Sequence, residues 1–435
     1  MKKNKIVYVP MGADVIHSGH LNIINKAKKY GDIFIGLFTD AAIAEYKSFP
    51  LINFQQRLEI MKNIRGVHKI IKQDTWDYSK NLKMIKPNYL IHGDDWKKGI
   101  QKKTRSKVVQ ILKKWGGKLI EIPYTKSPLA SRVHEKIKDN FFTIESRVSI
   151  LKRLIESKSI VRFIESHNPL TGLMIENLKI NYKNSFREFD GIWSSSLTDS
   201  ISNGKPDNQS FELSSRINNL SNVLEHTTKP VLFDADNGGQ PEHLSYTVRN
   251  LERLGVSAIV MEDKIGLKRN SLFKDQSKSN QDSIENFCKK IAIACKARRS
   301  QNFLVVARIE SFIFNRGFND AIKRAEHYSK SGADLILIHS KSDSPEEIFK
   351  FAKKFKKSNF YKPLVAVPST YPKVSEGQLI KNGFKIVIYA NHLLRAAYPA
   401  MQNAALSILK NTKSSKIEKS IISIKKILNI IPNNS

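Results

Sequence analysis

The segment Pro230-Val-Leu-Phe-Asp234-Ala-Asp236-Asn-Gly-Gly239 joins an apolar run to two carboxylates and then to two glycines. The apolar run is typical of a buried strand, and the glycines allow the backbone to turn sharply after it. Residues two apart on a strand point the same way, so Asp234 and Asp236 share one face at its end. Paired carboxylates that supply only oxygen ligands favour Mg²⁺. Taken alone, the segment also fits a polar turn in which Asp236 caps the next helix.

Seven further segments repeat this pattern of an apolar run that ends in polar residues, and helical periodicity separates most of them. The eight runs span residues 160–167, 191–195, 231–236, 258–264, 304–310, 334–340, 364–369 and 386–390. This number of runs over roughly 230 residues predicts a (β/α)₈ barrel. Catalytic groups of that fold lie at the carboxyl ends of the strands, where this chain has ionisable or hydrogen-bonding side chains. Six such ends are difficult to explain by folding alone, because buried polar groups without partners cost stability.

The start of the chain has a different organisation. A short apolar strand over 5–10 is followed by Met11-Gly-Ala-Asp14-Val-Ile-His17-Ser-Gly-His20, a helical pattern and a second strand. This β–turn–α–β order predicts a parallel sheet with the turn at its carboxyl edge. His17 and His20 flank a glycine where backbone N–H groups of the helix favour phosphate. The turn therefore predicts a phosphate site, the alternative being two histidines without a catalytic role.

Composition limits the partners and the setting. The 435 residues carry a formal charge of +33, enough length for two or three domains. Such a charge is compatible with nucleic acid, an anionic membrane surface or small anionic substrates. Because the basic residues are spread along the chain, we favour compositional drift with a contribution from anionic substrates, and no nucleic-acid partner. Cys288 and Cys295 form no metal or disulfide pattern, and no run is long enough to span a bilayer, so a cytoplasmic protein is expected.

Up to about residue 135 the chain resembles the small cytidylyltransferases, whose HxGH motif binds the triphosphate of CTP. Matching features are Asp40, Lys47, Phe54-Gln-Gln-Arg57 and His92-Gly-Asp-Asp95-Trp96. The resemblance implies CTP as co-substrate and nucleotide binding by His17, His20, Lys47, Asp95 and Trp96. One departure is the stretch 124–131, which lacks the glycine of the family's nucleotide-contacting motif and contains Pro128. A catalytically silent N-terminal binding module therefore stays open as an alternative.

From about residue 145 to 400 the chain resembles the phosphoenolpyruvate mutase family of the isocitrate lyase superfamily. The family's signature of Glu-Asp-Lys followed by a lysine and Asn-Ser stands here between Glu262 and Ser271. This charged stretch contains a glycine and no long apolar run, which predicts a mobile lid over an anion, the alternative being an ordinary solvated loop. By this resemblance Asp234 binds Mg²⁺ directly, while Asp236 and Glu262 hold its waters. Substrate binding is implied for Trp193, Ser195 and Leu197, and catalytic roles for Asp207, Lys268, Asn270, Arg308 and His339. Asp207 is implied either as a further partner of the metal's waters or as a covalent phosphoryl carrier.

The same resemblance separates the chain from some relatives. Lyases of the superfamily carry a cysteine acid after the fourth strand, and residues 262–277 contain none. Phosphonopyruvate hydrolases share most of the barrel site, so the hydrolase stays an alternative, although Lys268 and Asn270 together favour the mutase. Barrels of this superfamily commonly exchange C-terminal helices, which implies a homo-oligomer.

The sequence thus predicts an α/β protein, with a Rossmann-like nucleotidyltransferase domain over 1–138, a connector over 139–158 and a (β/α)₈ barrel over 159–435. The implied function is phosphonate biosynthesis. The barrel would interconvert phosphoenolpyruvate and phosphonopyruvate with Mg²⁺. The N-terminal domain would transfer cytidylyl from CTP to a phosphonate, either 2-hydroxyethylphosphonate or 2-aminoethylphosphonate.

Overall fold

A computed structural model of the chain describes residues 5–431, apart from 47–48, 98–100, 124–142, 183–184, 267, 274–275 and 277–278. Within these residues, a five-stranded parallel sheet precedes a closed barrel of eight parallel strands. Both features agree with the fold predicted from the sequence.

The N-terminal sheet has the strand order β3-β2-β1-β4-β5. Its strands are β1 (Ile6–Met11), β2 (Asp32–Phe38), β3 (Val67–Gln73), β4 (Tyr89–Gly93) and β5 (Lys118–Ile122). Its helices are α1 (Ser18–Ala27), α2 (Asp40–Tyr46), α3 (Phe54–Lys62), α4 (Ser79–Ile85) and α5 (Lys102–Lys113), with a 3₁₀ turn over Asp94–Lys97. Alternate side chains of β1 enter the cores on opposite faces, Val7 and Val9 on one side and Tyr8 on the other. The order reverses between β1 and β4, which is where open α/β sheets bind ligands.

The barrel closes in the order in which its strands occur along the chain. The strands after the N-terminal sheet are β6 (Val161–Glu165), β7 (Lys179–Tyr182), β8 (Ser185–Glu188), β9 (Gly191–Ser194), β10 (Val231–Asp234), β11 (Ala258–Glu262), β12 (Lys264–Gly266), β13 (Ser279–Gln281), β14 (Leu304–Ile309), β15 (Leu335–Ile338), β16 (Leu364–Ala366) and β17 (Phe384–Tyr389). Two pairs, β7 with β8 and β12 with β13, are separate antiparallel hairpins. The other eight strands form the barrel. Seven of them lie within a predicted run, and β17 begins two residues before the eighth run, at Phe384.

Helices surround the barrel and close one end of it. They are α6 (Ile144–Ser157), α7 (Pro169–Asn177), α8 (Ser196–Ser202), α9 (Leu213–Leu224), α10 (Pro241–Leu254), α11 (Ile284–Ala297), α12 (Gly317–Lys330), α13 (Glu346–Phe355), α14 (Glu376–Lys381), α15 (His392–Asn411) and α16 (Ile424–Leu428). Helix α6 lies in the predicted connector, but Leu151 and Leu154 are buried among inward side chains of the barrel such as Leu232. Ser257, just before β11, donates a hydrogen bond to the Arg147 carbonyl of α6 at 2.9 Å. The helix therefore covers the amino ends of the barrel strands.

Helix α15, like the short helix α16 after it, has no buried residue. Several apolar side chains on it are exposed, including Tyr398 (62%), Met401 (60%) and Leu409 (76%). None of the helices in the described part of the chain combines the length and the apolar character that crossing a bilayer requires.

Candidate active site

All eleven residues predicted for the barrel site line one pocket at the carboxyl ends of its strands. They are Trp193, Ser195, Leu197, Asp207, Asp234, Asp236, Glu262, Lys268, Asn270, Arg308 and His339. They come from five barrel strands or the residues that follow them, and from the loops that hold Asp207 and the predicted lid. The barrel therefore brings together side chains that are up to 146 positions apart, from Trp193 to His339.

One side of the pocket is acidic. Asp234 ends β10 and accepts hydrogen bonds from the Ser196 hydroxyl at 2.8 Å and from the backbone N–H of Asp236 at 3.2 Å. Asp236 has a positive φ of 52°, a left-handed backbone that lets the chain turn directly after the strand. Arg216 lies beneath both, and its Nη1 donates to the Asp234 carbonyl at 2.7 Å. The guanidinium therefore fixes the strand end that presents the carboxylates.

The lid predicted from the Glu-Asp-Lys signature reaches across to this acidic side. Lys268 Nζ lies 2.5 Å from Asp207 Oδ1 and 2.6 Å from the Ser196 hydroxyl, and it also contacts Asp236. Asn270 Nδ2 donates to Asp207 Oδ2 at 2.9 Å. These contacts close the lid over the pocket and place an ammonium among the carboxylates.

The opposite side of the pocket carries Arg308 and His339, which are both held by the buried carboxylate of Glu310. Glu310 is fully buried and accepts from Arg308 Nε at 2.6 Å and from the Ser271 hydroxyl at 2.5 Å. His339 Nδ1 lies 2.9 Å from the same carboxylate and 2.9 Å from Arg308 Nη2. Arg308 Nη2 also lies 3.2 Å from Glu262, which connects the two sides of the pocket.

Burial and the crowded charges shift the pKa values of these groups. Burial alone would raise the pKa of Asp234, but Lys268, Arg308 and Arg216 outweigh it and lower the pKa. Burial raises the pKa of Glu262 to about 7, against the lowering effect of Arg308. The pKa of His339 is lowered by burial and by Arg308. The site therefore favours an ionised Asp234 and a neutral imidazole at neutral pH.

Three polar residues important to this geometry were not predicted as site residues. Glu310 is the last residue of the predicted run 304–310, a position that assigned it no role, and Arg216 lies in a helix without a recognisable motif. Lys264 belongs to the signature, and its Nζ holds the lid through the Arg269 carbonyl at 2.7 Å and the Ser271 hydroxyl at 3.1 Å. A search for buried charged residues near strand ends could have found Glu310, but Arg216 required the tertiary structure.

The middle residue of the signature, Asp263, faces away from the pocket. It accepts from Tyr328 OH at 2.7 Å, from Arg324 Nη1 at 3.1 Å and from the backbone N–H of Glu310 at 2.9 Å. Successive residues at a strand end point to opposite faces. Asp263 thus anchors the strand behind Glu262 and positions the backbone of Glu310.

The donor chemistry of the acidic side fits Mg²⁺. Within the described residues, no three histidine, cysteine or carboxylate side chains are grouped as a complete ligand set. Mg²⁺ needs no such set, because it usually keeps several waters and binds one or two carboxylates. Asp234 and Glu262 are both buried on this face, and Asp236 is partly exposed beside them. The Lys268 ammonium also shows that this face accommodates positive charge.

In the N-terminal sheet, the two histidines of the HxGH motif cap helix α1. His17 Nδ1 accepts a hydrogen bond from the Gly19 N–H at 3.1 Å, and His20 Nδ1 accepts from the His17 N–H at 3.4 Å. Their rings lie 4.1 Å apart, and burial lowers the pKa of His17. Both Nδ1 atoms accept, so each neutral ring carries its proton on Nε2, the tautomer able to donate to a phosphate oxygen.

The other residues predicted for nucleotide binding are placed differently. Trp96 is buried, with its ring 3.8 Å from that of His92 and its indole N–H donating to Glu121 at 2.8 Å. Its ring and its indole N–H are therefore in contact with protein groups, and its role in nucleotide binding stays a prediction. Lys47, the side chain of Asp95 and the altered stretch 124–131 lie outside the described residues.

The closed barrel, with a polar pocket at the carboxyl ends of its strands, defines a (β/α)₈-barrel enzyme. The family model described as phosphoenolpyruvate phosphomutase matches residues 151–409, more than half of the chain. The chain belongs to the phosphoenolpyruvate phosphomutase family. A cytidylyltransferase-like model matches residues 13–133, so the resemblances predicted for both parts of the chain are confirmed.

Individual relatives agree with this assignment. The phosphoenolpyruvate phosphomutase of Tetrahymena pyriformis is 32% identical over 292 residues, which cover 67% of this chain and 93% of that protein. The phosphonopyruvate hydrolase of Variovorax sp. (strain Pal2) is 33% identical over 282 residues, covering 64% and 93% respectively. The crystal structure of the phosphoenolpyruvate phosphomutase from Streptomyces platensis subsp. rosaceus has a TM-score of 0.60 at 33% identity, covering 65% of this chain and 94% of that one.

Proposed function

We propose that the barrel catalyses the Mg²⁺-dependent interconversion of phosphoenolpyruvate and 3-phosphonopyruvate. The observation that carries this proposal is the division of one pocket into two sides. Asp234 and Glu262 form an acidic side suited to a cation, while Arg308 and His339 form a side suited to a phosphoryl group. A substrate with a carboxylate and a phosphoryl group at opposite ends matches this arrangement.

The reaction moves a phosphoryl group between the enol oxygen and C3 of pyruvate. Positioning and electrostatic stabilisation supply most of the catalysis of such a transfer. Arg308 is suited to hold the phosphoryl because a guanidinium meets phosphate oxygens with two parallel bonds. His339 and Asn270 would add donors, as would backbone N–H groups near Ser195. When bound, Mg²⁺ would supply positive charge that stabilises the pyruvate enolate.

The phosphoryl group can be transferred by two mechanisms within this proposal. In the first, it passes between O and C3 as a loose, metaphosphate-like species held by Arg308 and His339. In the second, Asp207 carries it covalently. Asp207 faces the pocket with a side chain that is 8% exposed and is in contact with Lys268. Rapid quenching of a single turnover with ³²P-labelled substrate would separate them, because only the second yields labelled protein.

Hydrolysis of phosphonopyruvate is the second candidate, because the Variovorax hydrolase is as similar to this chain as the mutases are. The two reactions differ in whether water reaches the phosphoryl group. Lys268 and Asn270 close the lid onto Asp207 in this structure, which favours exclusion of water and therefore the mutase.

Phosphorus NMR of the protein with Mg²⁺ and phosphonopyruvate tests the barrel activity. The mutase is expected to convert the phosphonate signal into that of phosphoenolpyruvate, the direction in which cleavage of the C–P bond is favoured. Pyruvate and inorganic phosphate in its place would establish the hydrolase and contradict the proposal.

For the N-terminal domain we propose cytidylyl transfer from CTP to a phosphonate, with release of pyrophosphate. A phosphonate oxygen would attack the α-phosphorus, and the bond to the β-phosphate oxygen would break. His17, His20 and the first turn of α1 would stabilise the charge that develops on the leaving pyrophosphate. Proposed acceptors are 2-hydroxyethylphosphonate and 2-aminoethylphosphonate. Pyrophosphate release with each acceptor tests the activity, and an absence of CTP binding would support the silent module.

The exposed helix α15 motivates a proposal about assembly. Its apolar side chains Tyr398, Met401 and Leu409 are solvent-accessible in the single chain. We propose that a second copy covers them in a homo-oligomer formed by exchange of C-terminal helices. Light scattering after size exclusion would overturn this if it gave the mass of one chain, 49.6 kDa.

A further inference from the structure

Arg153, on the helix that closes the barrel, binds the N-terminal domain. Its Nη2 donates to the Pro50 carbonyl at 2.9 Å and its Nη1 to the Leu51 carbonyl at 3.3 Å. The same Nη2 lies 3.4 Å from Asp40 Oδ2, and the guanidinium lies 4.8 Å from the ring centre of Phe49. Phe49 itself packs against the buried hydrophobic cluster inside the barrel that includes Leu151 and Leu232. One side chain of α6 therefore holds both the end of β2 and the segment 49–52.

A first series of contacts leads from Arg153 to the turn before the HxGH motif. Asp40 also pairs with the buried Arg57, whose Nη2 lies 2.7 Å from Asp40 Oδ1. Arg57 Nη1 donates to the Gly12 carbonyl at 2.5 Å and to the Phe38 carbonyl at 2.8 Å. The guanidinium of Arg57 thus fixes the turn after β1 relative to the end of β2.

A second series of contacts leads independently from Arg153 to the same turn before the HxGH motif. The N–H groups of Leu51 and Ile52 donate to the two carboxylate oxygens of Asp14 at 3.0 and 2.9 Å. Asp14 lies three residues before His17, and Ala13 beside it has a positive φ of 52°. A left-handed alanine needs surrounding contacts to hold it in place. Segment 49–52 provides such contacts on one side, and Arg153 holds that segment on the other.

From these two series of contacts we infer that Arg153 is a positioning residue for the cytidylyltransferase site, supplied by the barrel part of the molecule. It acts through Asp40 and segment 49–52 on turn 12–14, and so on the placement of His17. The inference rests on the proposed cytidylyl transfer for its catalytic readout. It predicts that the N-terminal site is fully formed only when α6 is docked beneath it.

The mutase pocket provides an internal standard for this inference. Helix α6 covers the amino ends of the barrel strands, whereas the mutase pocket lies at their carboxyl ends. Loss of the Arg153 guanidinium should leave the mutase reaction unchanged. Mutase activity of the same sample then measures the fraction of folded barrel, so a lower cytidylyl transfer rate cannot be assigned to misfolding of the whole chain, and circular dichroism checks the N-terminal domain.

The experiment compares Arg153→Ala and Arg153→Lys with wild type, using Lys152→Ala as control because Lys152 is an exposed neighbour on the same helix. We expect Arg153→Ala to raise the KM for CTP and lower kcat for pyrophosphate release, each by about tenfold, because small displacements of positioned groups reduce rates strongly. Lysine cannot form the fork to two carbonyls, so Arg153→Lys should recover only part of the loss. Mutase activity and the Lys152→Ala variant should match wild type.

Hydrogen exchange of the full chain makes the inference independent of the cytidylyl transfer proposal. Amides of segments 12–20 and 49–57 should exchange faster in Arg153→Ala than in wild type, while the barrel strands keep their protection. A wild-type protein without cytidylyl transfer would overturn the proposed function, and the exchange result would still decide the positioning role. Unchanged exchange in Arg153→Ala, or unchanged kinetics in an active protein, would overturn the inference.

Discussion

Replacement of Glu310 by glutamine should damage catalysis more than stability. The carboxylate is fully buried and holds Arg308 Nε at 2.6 Å, the Ser271 hydroxyl at 2.5 Å and His339 Nδ1 at 2.9 Å. Glutamine has nearly the same shape but keeps only one acceptor oxygen and has no charge. One of the three contacts must therefore face an N–H₂ group in place of an acceptor.

The size of the effect follows from these contacts. Loss of one hydrogen bond to a charged group costs about 2 kcal/mol of unfolding free energy. With an unfolding entropy of about 2.1 cal/mol/K per residue, such a loss lowers the Tm of a barrel of this length by about 3–4 °C. The catalytic effect should be larger, because Arg308 and His339 both lose the negative charge that holds them in place. We expect kcat to fall by about 100-fold, which corresponds to about 2.7 kcal/mol of transition-state stabilisation.

The assay follows phosphonopyruvate conversion by phosphorus NMR, together with thermal unfolding. The matched control is Glu252→Gln. Glu252 is a buried carboxylate that accepts the N–H groups of Arg299 and Ser300 at 2.8 and 2.6 Å, away from the pocket. Its loss should lower Tm without changing kcat. If Glu310→Gln lowered only Tm and kept wild-type kcat, the carboxylate would be structural and the reasoning about the cationic side would fail.

Three further substitutions test the other groups. Asp234→Ala should abolish mutase turnover and Mg²⁺ binding by calorimetry while circular dichroism stays unchanged; full activity would refute the metal assignment. Asn270→Ala removes a donor to the phosphoryl group and should lower kcat by about 100-fold or more with little change in Mg²⁺ affinity, so an unchanged rate would make the lid a simple connector. His17→Ala with His20→Ala should end pyrophosphate release but keep mutase activity, and loss of both activities would contradict two independent sites.

The barrel could be predicted from the sequence because its strands are buried on both faces. The runs 304–310 and 334–340 each contain four consecutive apolar residues and then end in polar ones, a pattern typical of parallel strands buried on both faces. Helix α6 was harder to interpret, because its charged residues made it resemble a connector. The apolar face formed by Leu151 and Leu154 is explained only by the structure, in which it packs against the open end of the barrel.

The site was predictable where adjacent residues carry the signal. Asp234 and Asp236 stand two apart, and the lid signature occupies a single stretch. Arg216 and Glu310 could not be assigned roles, because Asp234 and His339, which they contact, are distant in sequence and only the closed barrel brings them together. The buried environment of Trp96 was likewise hidden, since the sequence shows the residue but not the residues packed around it.

The attachment of the N-terminal domain at the amino end of the barrel determines how the two reactions are connected. The pocket lies at the other end of the barrel, so under the proposed functions the mutase product would leave into bulk solvent before it reached the nucleotide site. Other enzymes could then modify the released phosphonate before it returned as an acceptor. The fusion would in that case fix a one-to-one supply of two catalysts for distant steps of one route, and an unlabelled pool of intermediate would dilute a label passing between them.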